Sequence, residues 1–484
     1  MKVEQIYTGC LAQGAYYIES AGEAVIIDPL RETKPYLEKL EQTGAKLKYI
    51  IETHFHADFV SGHLDLAKAT GATIVYGPMA QPEYDVYSAK DAEELQLGEV
   101  TIKVLHTPGH TMESSTFLLR DEAGKDYAIF TGDTLFLGDV GRPDLAIKQG
   151  EVTKDDLAGY LFDSLREKIM PLADEVIVYP AHGAGSACGK NLSKDTFGLL
   201  GEQKESNYAL RADMTREEFV REVTAGLTPA PQYFAKNAMM NKVGYDSFAD
   251  VLAKGNHPLS PEAFENLANT QDALVLDVRD REKFSASHVP NSIYIGIDGQ
   301  FAPWVGALII DIKQPILLVV PEGRSEEVVT RLSRVGYDNV LGYLKGGIIA
   351  WTSSGRETNS INNISAETLE HRVNADTAKH LLDTRKPTEF LAEHLVAAKN
   401  YPLDYINGSL FNELDRDTTY HLHCGSGYRS LIAASILRAR GFQNIVNVRG
   451  GWNSIKETGL EKSAYQCPTK MSQQTIDEAV EAVL

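Results

Sequence analysis

Cysteine is scarce: 484 residues contain only Cys10, Cys188, Cys424 and Cys467, with no CxxC pair. That excludes a disulfide framework and fits a reducing, cytoplasmic setting. Each thiol is then a small buried apolar group unless its neighbours activate it. Basic residues are in the minority, 47 Lys and Arg against 67 Asp and Glu, for a formal charge of −20. Such a surface argues against nucleic acid or an anionic membrane as the partner, although a local pocket can still invert the field for a small anion. No apolar run approaches the ~18–20 residues that span a bilayer. The opening stretch "MKVEQIYTGCLAQGAYYIES" lacks a basic segment followed by an apolar one, so no secretory leader is predicted.

The chain is too long for one core, and two to four domains are expected. Over roughly the first 240 residues, "AVIIDPL", "KYIIETH", "ATIVYG", "VTIKVLHTPGH", "STFLLRD", "DYAIFTGDTLF" and "EVIVYPAHG" read as strands ending in polar or glycine-rich loops. Farther on the pattern turns helical, and "GNHPLSP" reads as a linker.

The remainder repeats itself. "ALVLDVRDREKFSASHVPNSIYI" aligns with "KHLLDTRKPTEFLAEHLVAAKNYPL" at an offset of about 106 positions, pairing Asp277 with Asp383, Arg279 with Arg385, Phe284 with Phe390 and His288 with His394. Arg324-Ser325 likewise meets Arg429-Ser430, and Gly346-Gly347 meets Gly450-Gly451. So many matches at nearly one offset indicate two copies of an α/β domain of about 100 residues.

Potential metal ligands follow the N-terminal strands: His54, His56 and Asp58 in "THFHADF", His110 in "TPGHTMES", Asp133 in "FTGDTLF" and His182 in "YPAHGAG". Imidazole and carboxylate suit zinc and non-heme iron(II), and strand ends let distant residues converge. His63 and His106 read as structural histidines.

These motifs resemble the metallo-β-lactamase superfamily, whose HxHxDH pattern is matched except at Phe59. The resemblance implies an αββα sandwich with the metal at the edge between its sheets. Within that superfamily, "GDTLFLGDVGRPDL" and "YPAHGAGSACGKN" are similar to the persulfide dioxygenases, with glyoxalase II as the hydrolytic relative. In the superfamily a second metal is held by Asp58, a histidine at 59, Asp133 and His182; Phe59 removes one donor, so that position should bind weakly. A single metal on His54, His110 and Asp133 forms a two-histidine, one-carboxylate arrangement with open positions, as a non-heme oxygenase needs. Resemblance to the dioxygenases makes these three the ligands of one Fe(II), with His56, Asp58 and His182 behind them. Arg142, Asp144 and Tyr179 are candidates for holding the organic part of a substrate, Arg142 by pairing with a carboxylate or phosphate. An internal pair between Arg142 and Asp144 is the competing reading.

In "HLHCGSGYRSLIAASIL", Cys424 ends an apolar strand, and Gly425, Ser426 and Gly427 let the backbone curl so that N–H groups point inward at a helix start carrying Arg429 and Ser430. Those dipoles and Arg429 would stabilise a thiolate or a persulfide. Four residues between Cys and Arg make a loop sized for one sulfur atom rather than a phosphate. Both repeats resemble rhodanese domains, which implies that Cys424 carries sulfane sulfur. In the first copy Val319 is expected at the cysteine position, so that copy is expected to be structural.

The expected fold is multidomain α/β: a metallo-β-lactamase-like αββα sandwich over 1–245, a linker over 246–262, an inactive rhodanese-like domain over 263–360, an active one over 366–470, and a helical tail over 471–484. The expected function is an iron persulfide dioxygenase that makes sulfite from a low-molecular-weight thiol persulfide and O₂, coupled to a sulfurtransferase that interconverts persulfide plus sulfite with thiosulfate. The alternative is a zinc-dependent, glyoxalase II-like thioester hydrolase. A cytoplasmic homo-oligomer is expected, with no nucleic-acid or membrane partner.

Overall fold

The computed structural model describes residues 1–146, 151–190, 192–227, 229–467 and 471–483. It divides into two compact units, Met1–Asp250 with Leu332–Gly336, and Val251–Arg331 with Tyr337–Leu484.

In the first unit, one six-stranded sheet runs in chain order through Lys2–Thr8, Gln13–Ser20, Glu23–Ile27, Lys46–Glu52, Thr73–Tyr76 and Tyr87–Ser88. The second runs Gly198–Leu199, Ile177–Pro180, Asp126–Gly132, Ser115–Arg120, Val100–His106 and Glu94–Leu97. Alternate side chains divide each strand between two cores. Tyr16, Ile18, Val25, Ile27 and Ile51 face Ile102, Val104, Phe117 and Phe130 between the sheets. Their neighbours Tyr17, Ala24, Ile26 and Ile50 face outward onto Tyr36 and Leu40 of the helix Lys34–Thr43 and Leu66 of the helix His63–Thr70. Behind the second sheet, Leu118 and Ile129 meet Ala158 and Leu161 of the helix Lys154–Ser164 and Phe219 of the helix Arg216–Thr224. With helices outside both sheets, the strands are apolar on both faces, which is why "AVII" and "YII" run without alternation. The layering is the expected αββα sandwich.

The second unit holds two five-stranded parallel sheets of identical order. The first runs Pro258–Leu259, Val340–Leu344, Ile316–Val319, Leu274–Asp277 and Ile293–Tyr294; the second runs Asn362–Ile364, Ile445–Val448, Tyr420–His423, Leu381–Asp383 and Ala398–Asn400. The matched residues of the repeat are structural. Arg279 clasps Asp277 (2.6–3.0 Å) and donates to the Ser287 carbonyl (2.8 Å); Arg385 clasps Asp383 over the same span and donates to the Glu393 carbonyl (2.8 Å). His288 stacks on Phe284 and His394 on Phe390, each also bonded through Nδ1 to that phenylalanine's carbonyl.

Two expectations change. Residues 246–262 are not an open linker: they contain the helix Phe248–Gly255, which buries Val251, and the edge strand Pro258–Leu259, which pairs with Tyr343 and Leu344. The pairing register also moves the first copy's cysteine equivalent. Asp277 lies opposite Val319 and Asp383 opposite His423, so Val320, not Val319, stands where Cys424 stands, and the loop that follows is one residue shorter. Either way that copy has no thiol. The helix Gln473–Glu481 lies within the expected tail.

Gly132 carries a steric demand that reaches the site. Its φ is +52°, and a Cβ there would meet Thr53 Oγ1 at 2.5 Å. Gly22, at φ +79°, has open space around it. Gly132→Ala should cost about 2–4 kcal/mol against about 1 for Gly22→Ala, because overpacking adds to backbone strain. Denaturant unfolding of both variants checks this, and equal losses would remove the steric argument.

Candidate metal centre and thiol loop

The loop after the strand Lys46–Glu52, the loop after Val100–His106 and the end of Asp126–Gly132 bring His54, His110 and Asp133 together. His110 Nε2 is 3.4 Å and His54 Nε2 4.0 Å from Asp133 Oδ2, an oxygen that is buried without a hydrogen-bond partner. The two rings stand nearly perpendicular, with centroids 4.9 Å apart.

Their outer nitrogens are tied. Thr53 Oγ1 donates to Asp28 Oδ2 (2.8 Å) and therefore accepts from His54 Nδ1 (3.0 Å). His110 Nδ1 donates to the Arg142 carbonyl (2.9 Å). Each tie fixes the tautomer that turns an Nε2 lone pair inward, as a metal ligand requires. Burial and the neighbouring His56 hold His54 well below its ordinary pKa, so it is neutral. Burial would push the Asp133 carboxyl up, but His182 and His110 beside it hold it well below the usual carboxylate range. A neutral His54, a His110 with its Nε2 turned inward and an ionised carboxylate, all buried, fit a divalent cation.

The other expected members divide. His182 lies between carboxylates, Nδ1 2.8 Å from Asp133 Oδ1 and Nε2 2.8 Å from Asp58 Oδ2, and despite burial their charges raise its pKa well above the ordinary value. His56 turns away from the cluster: its Nε2 is 3.0 Å from Asp28 Oδ1 and 3.6 Å from Glu52 Oε2. Its ring stacks on Phe59, centroids 4.3 Å apart, and Phe59 is fully buried. Phe59 therefore removes a donor and also packs His56 against the Asp28 side. His63 is structural, bonded to Glu52 Oε1 at 3.1 Å, and His106 donates to the Met112 carbonyl.

Arg142 is engaged internally. It makes a bidentate pair with Asp144 (2.7 and 2.8 Å), as the competing reading has it, and donates to the Ala187 carbonyl (3.3 Å). Tyr179 is not brought to the cluster: it packs on Phe130 and Tyr16 in the core between the sheets. Sequence reasoning missed Thr53 and Asp28, which carry no motif of their own. It also left Cys188 as a packed thiol, whereas the structure buries it beside Asp58 and His182, with ligand-type atoms of all three within 4.8 Å of one another.

In the second unit, Cys424 follows the strand Tyr420–His423 and is 1% exposed. Its sulfur accepts from the Gly427 N–H (3.2 Å) and the Ser430 hydroxyl (3.6 Å) at the start of the helix Tyr428–Ala439. Gly451 explains the terminal Gly-Gly: a Cβ there would meet the Cys424 carbonyl at 2.2 Å, and the backbone N–H of the next residue, Trp452, donates to that same carbonyl. Arg429 does not point its charge at the sulfur alone. It makes a bidentate pair with Glu389 (2.6 and 2.8 Å), a partner the motif does not reveal. The thiol-free copy also holds the loop: Arg281 donates to the Ser426 carbonyl (3.0 Å), and Tyr428 donates to the Gly296 carbonyl (2.9 Å).

Residues 8–182 match the metallo-beta-lactamase superfamily model, and 260–354 and 365–458 each match the rhodanese-like domain model. The chain is 30% identical over 212 residues to the human mitochondrial persulfide dioxygenase, covering 43% of this chain and 74% of that one. It is 33% identical over 213 residues to the hydroxyacylglutathione hydrolase of Methylococcus capsulatus, covering 43% and 73%. A metallo-beta-lactamase structure from Staphylococcus aureus superposes with a TM-score of 0.63 at 30% identity, covering 71% of this chain and 98% of that one. Among the described residues no helix is long and apolar enough to cross a membrane. The chain belongs to the metallo-β-lactamase superfamily, is homologous to the persulfide dioxygenases, and carries two rhodanese-like domains after its metal-binding fold.

Proposed function

We propose that the first unit is a non-heme iron(II) persulfide dioxygenase holding one iron on His54, His110 and Asp133, and that Cys424 is the nucleophile of a coupled sulfurtransferase. The dioxygenase converts a persulfide RSSH with O₂ and water into the thiol RSH and sulfurous acid, which ionises to sulfite. The observation that carries the reading is the two-histidine, one-carboxylate cluster beside a His56 that is stacked on Phe59 and turned away. Three protein ligands on one side leave positions open, as oxygenase chemistry requires.

Iron(II), when bound there, supplies adjacent sites for a sulfur anion and O₂. The chain's own residues do the rest. Thr53 and the Arg142 carbonyl fix the ring orientations, Asp133 keeps its charge, and burial excludes bulk water. In the second unit, a persulfide on Cys424 is attacked at its outer sulfur by sulfite; the S–S bond breaks, thiosulfate leaves, and the Cys424 thiolate is recovered. The Gly427 N–H and Ser430 hydroxyl stabilise that leaving thiolate, and the Glu389 pair holds Arg429 beside the loop. The reverse direction loads Cys424 from thiosulfate. The free cysteines and acidic surface suit a reducing cytoplasm.

The hydrolase relative keeps a zinc thioesterase as the competing reading, which assay separates. Anaerobically purified protein should contain one iron per chain and consume O₂ with a small-thiol persulfide; zinc in its place with thioester cleavage and no O₂ uptake would establish the hydrolase. Asp133→Ala should lower O₂ uptake at least about 100-fold, since an absent ligand costs no less than a lost outer partner. Cys424→Ser should abolish thiosulfate formation while O₂-dependent sulfite production continues, and loss of both would mean the sites do not work separately.

A further inference from the structure

One peptide unit of the thiol loop is bonded at both ends. Its N–H, that of Gly427, donates to the Cys424 sulfur (3.2 Å), and its carbonyl, that of Ser426, accepts from Arg281 Nη1 (3.0 Å). The N–H end is buried against the sulfur, whereas the carbonyl end belongs to the exposed Ser426. Cys424 lies in the second rhodanese-like copy and Arg281 in the thiol-free first one, so the chain of bonds crosses from one copy to the other. The next residue is held from the same side, Tyr428 donating to the Gly296 carbonyl (2.9 Å).

Arg281 is no part of the repeated scaffold. At the offset that pairs Asp277 with Asp383, its counterpart is Pro387. It opens the helix Arg281–Ala286, and Asp280 anchors that helix by accepting from the Glu282 and Lys283 N–H groups (2.9 and 3.3 Å). Arg429 is neutralised by its bidentate pair with Glu389. Among the described residues Arg281 has no carboxylate partner, so its charge bears on the Ser426 carbonyl. A charged donor on an amide oxygen polarises the whole peptide and makes its N–H the stronger donor. A second contact between the copies, Glu282 with Arg449 (2.8 Å), joins two side chains rather than a loop peptide. It serves as an internal control.

We propose that Arg281 is a positioning residue of the sulfur-transfer step: by polarising the Ser426–Gly427 peptide it strengthens the hydrogen bond that receives the Cys424 thiolate. The inference rests on the sulfurtransferase reading of Cys424. When sulfite takes the outer sulfur of the Cys424 persulfide anion, the S–S electron pair stays on Sγ. One persulfide anion and one sulfite thus become one thiolate and one thiosulfate, with no other reactant. The negative charge that appears on Sγ is the charge the Gly427 N–H meets. Arg281 acts on it through one peptide, without touching either anion. The copy that lacks a thiol thereby tunes the chemistry of its neighbour.

The test joins kinetics to a signal from that peptide, both in the full chain. With Cys424 preloaded as the persulfide, Arg281→Met should lower the maximal rate of thiosulfate formation about 3- to 10-fold, less than the ~100-fold or more that follows outright loss of such a donor. The sulfite concentration giving half that rate should not move. Arg281→Lys, which keeps the charge, should recover part of the rate, and Arg449→Met should keep all of it. Ser–Gly steps occur only at Ser61–Gly62, Ser354–Gly355 and Ser426–Gly427, so carbonyl-labelled serine with nitrogen-labelled glycine isolates the peptide by NMR. In Arg281→Met the Ser426 carbonyl and the Gly427 amide proton should both move upfield; in Arg449→Met neither should. A wild-type chain that forms no thiosulfate would overturn the sulfurtransferase reading and the inference with it. Thiosulfate formation with an unmoved Gly427 amide in Arg281→Met would overturn the inference alone. So would a half-saturating sulfite concentration that rises at an unchanged maximal rate, which marks Arg281 as a plain attractor of anions.

Discussion

Asp133 is the charge around which the N-terminal unit is arranged. Its side chain is fully buried, one oxygen is bonded by His182, and the other faces His54 and His110 without a partner. An ionised carboxylate so far from water persists only where opposite charge or donors compensate it. The structure supplies them from different strand ends, which requires both sheets to be in register. Gly132 must then adopt its positive φ for the next residue to face the site, and Thr53 must fit the space a Cβ would take. Thr53 is the same residue that sets the His54 tautomer. Packing between the sheets and ligand geometry are therefore one constraint, met at Gly132 and Thr53.

A comparable economy runs through the second unit. The Asp-x-Arg clasp and the Phe–His stack recur in both repeats with nearly the same distances, so they belong to the fold and not to the chemistry. The loop after the central strand differs between them. In the second copy it gives a sulfur two donors; in the first, Arg324 pairs with Glu327 and Asp298, and no cysteine is available. The thiol-free copy retains a use as support, because Arg281 and the Gly296 carbonyl hold the loop of its neighbour.

What could be seen in the sequence follows the range of the interactions. The sandwich strands were legible because both of their faces are apolar, and the repeat was legible because its clasps use residues close together in the chain. The convergence of His54, His110 and Asp133 was legible because each sits next to a glycine or a second polar residue in a short motif. Asp28 and Glu389 were not, since their partners lie 25 and 40 residues away, and neither was the placement of Cys188 beside Asp58, which comes from a distant strand end. Arg142 is a case the motif left open: of a substrate contact and an internal pair, the structure has the pair, with Asp144 two residues on. The linker bounds 246–262 overran the helical stretch that precedes "GNHPLSP", in which "FADVL" buries Val251.

The acidity of the chain and the anions it is proposed to handle are reconciled at the thiol loop. A formal charge of −20 repels sulfite and thiosulfate at long range, but that repulsion is screened within about 8–10 Å at physiological salt. Inside that distance the local donors decide: the Gly427 N–H, the Ser430 hydroxyl and the helix start behind them. Arg429 alone would draw anions regardless of shape, and its pairing with Glu389 tempers that attraction. What remains is a set of fixed dipoles converging on one sulfur atom, which rewards a charge placed on that atom more than a charge anywhere nearby. Selection then rests on where the negative charge develops during transfer, and the net charge of the protein has little part in it.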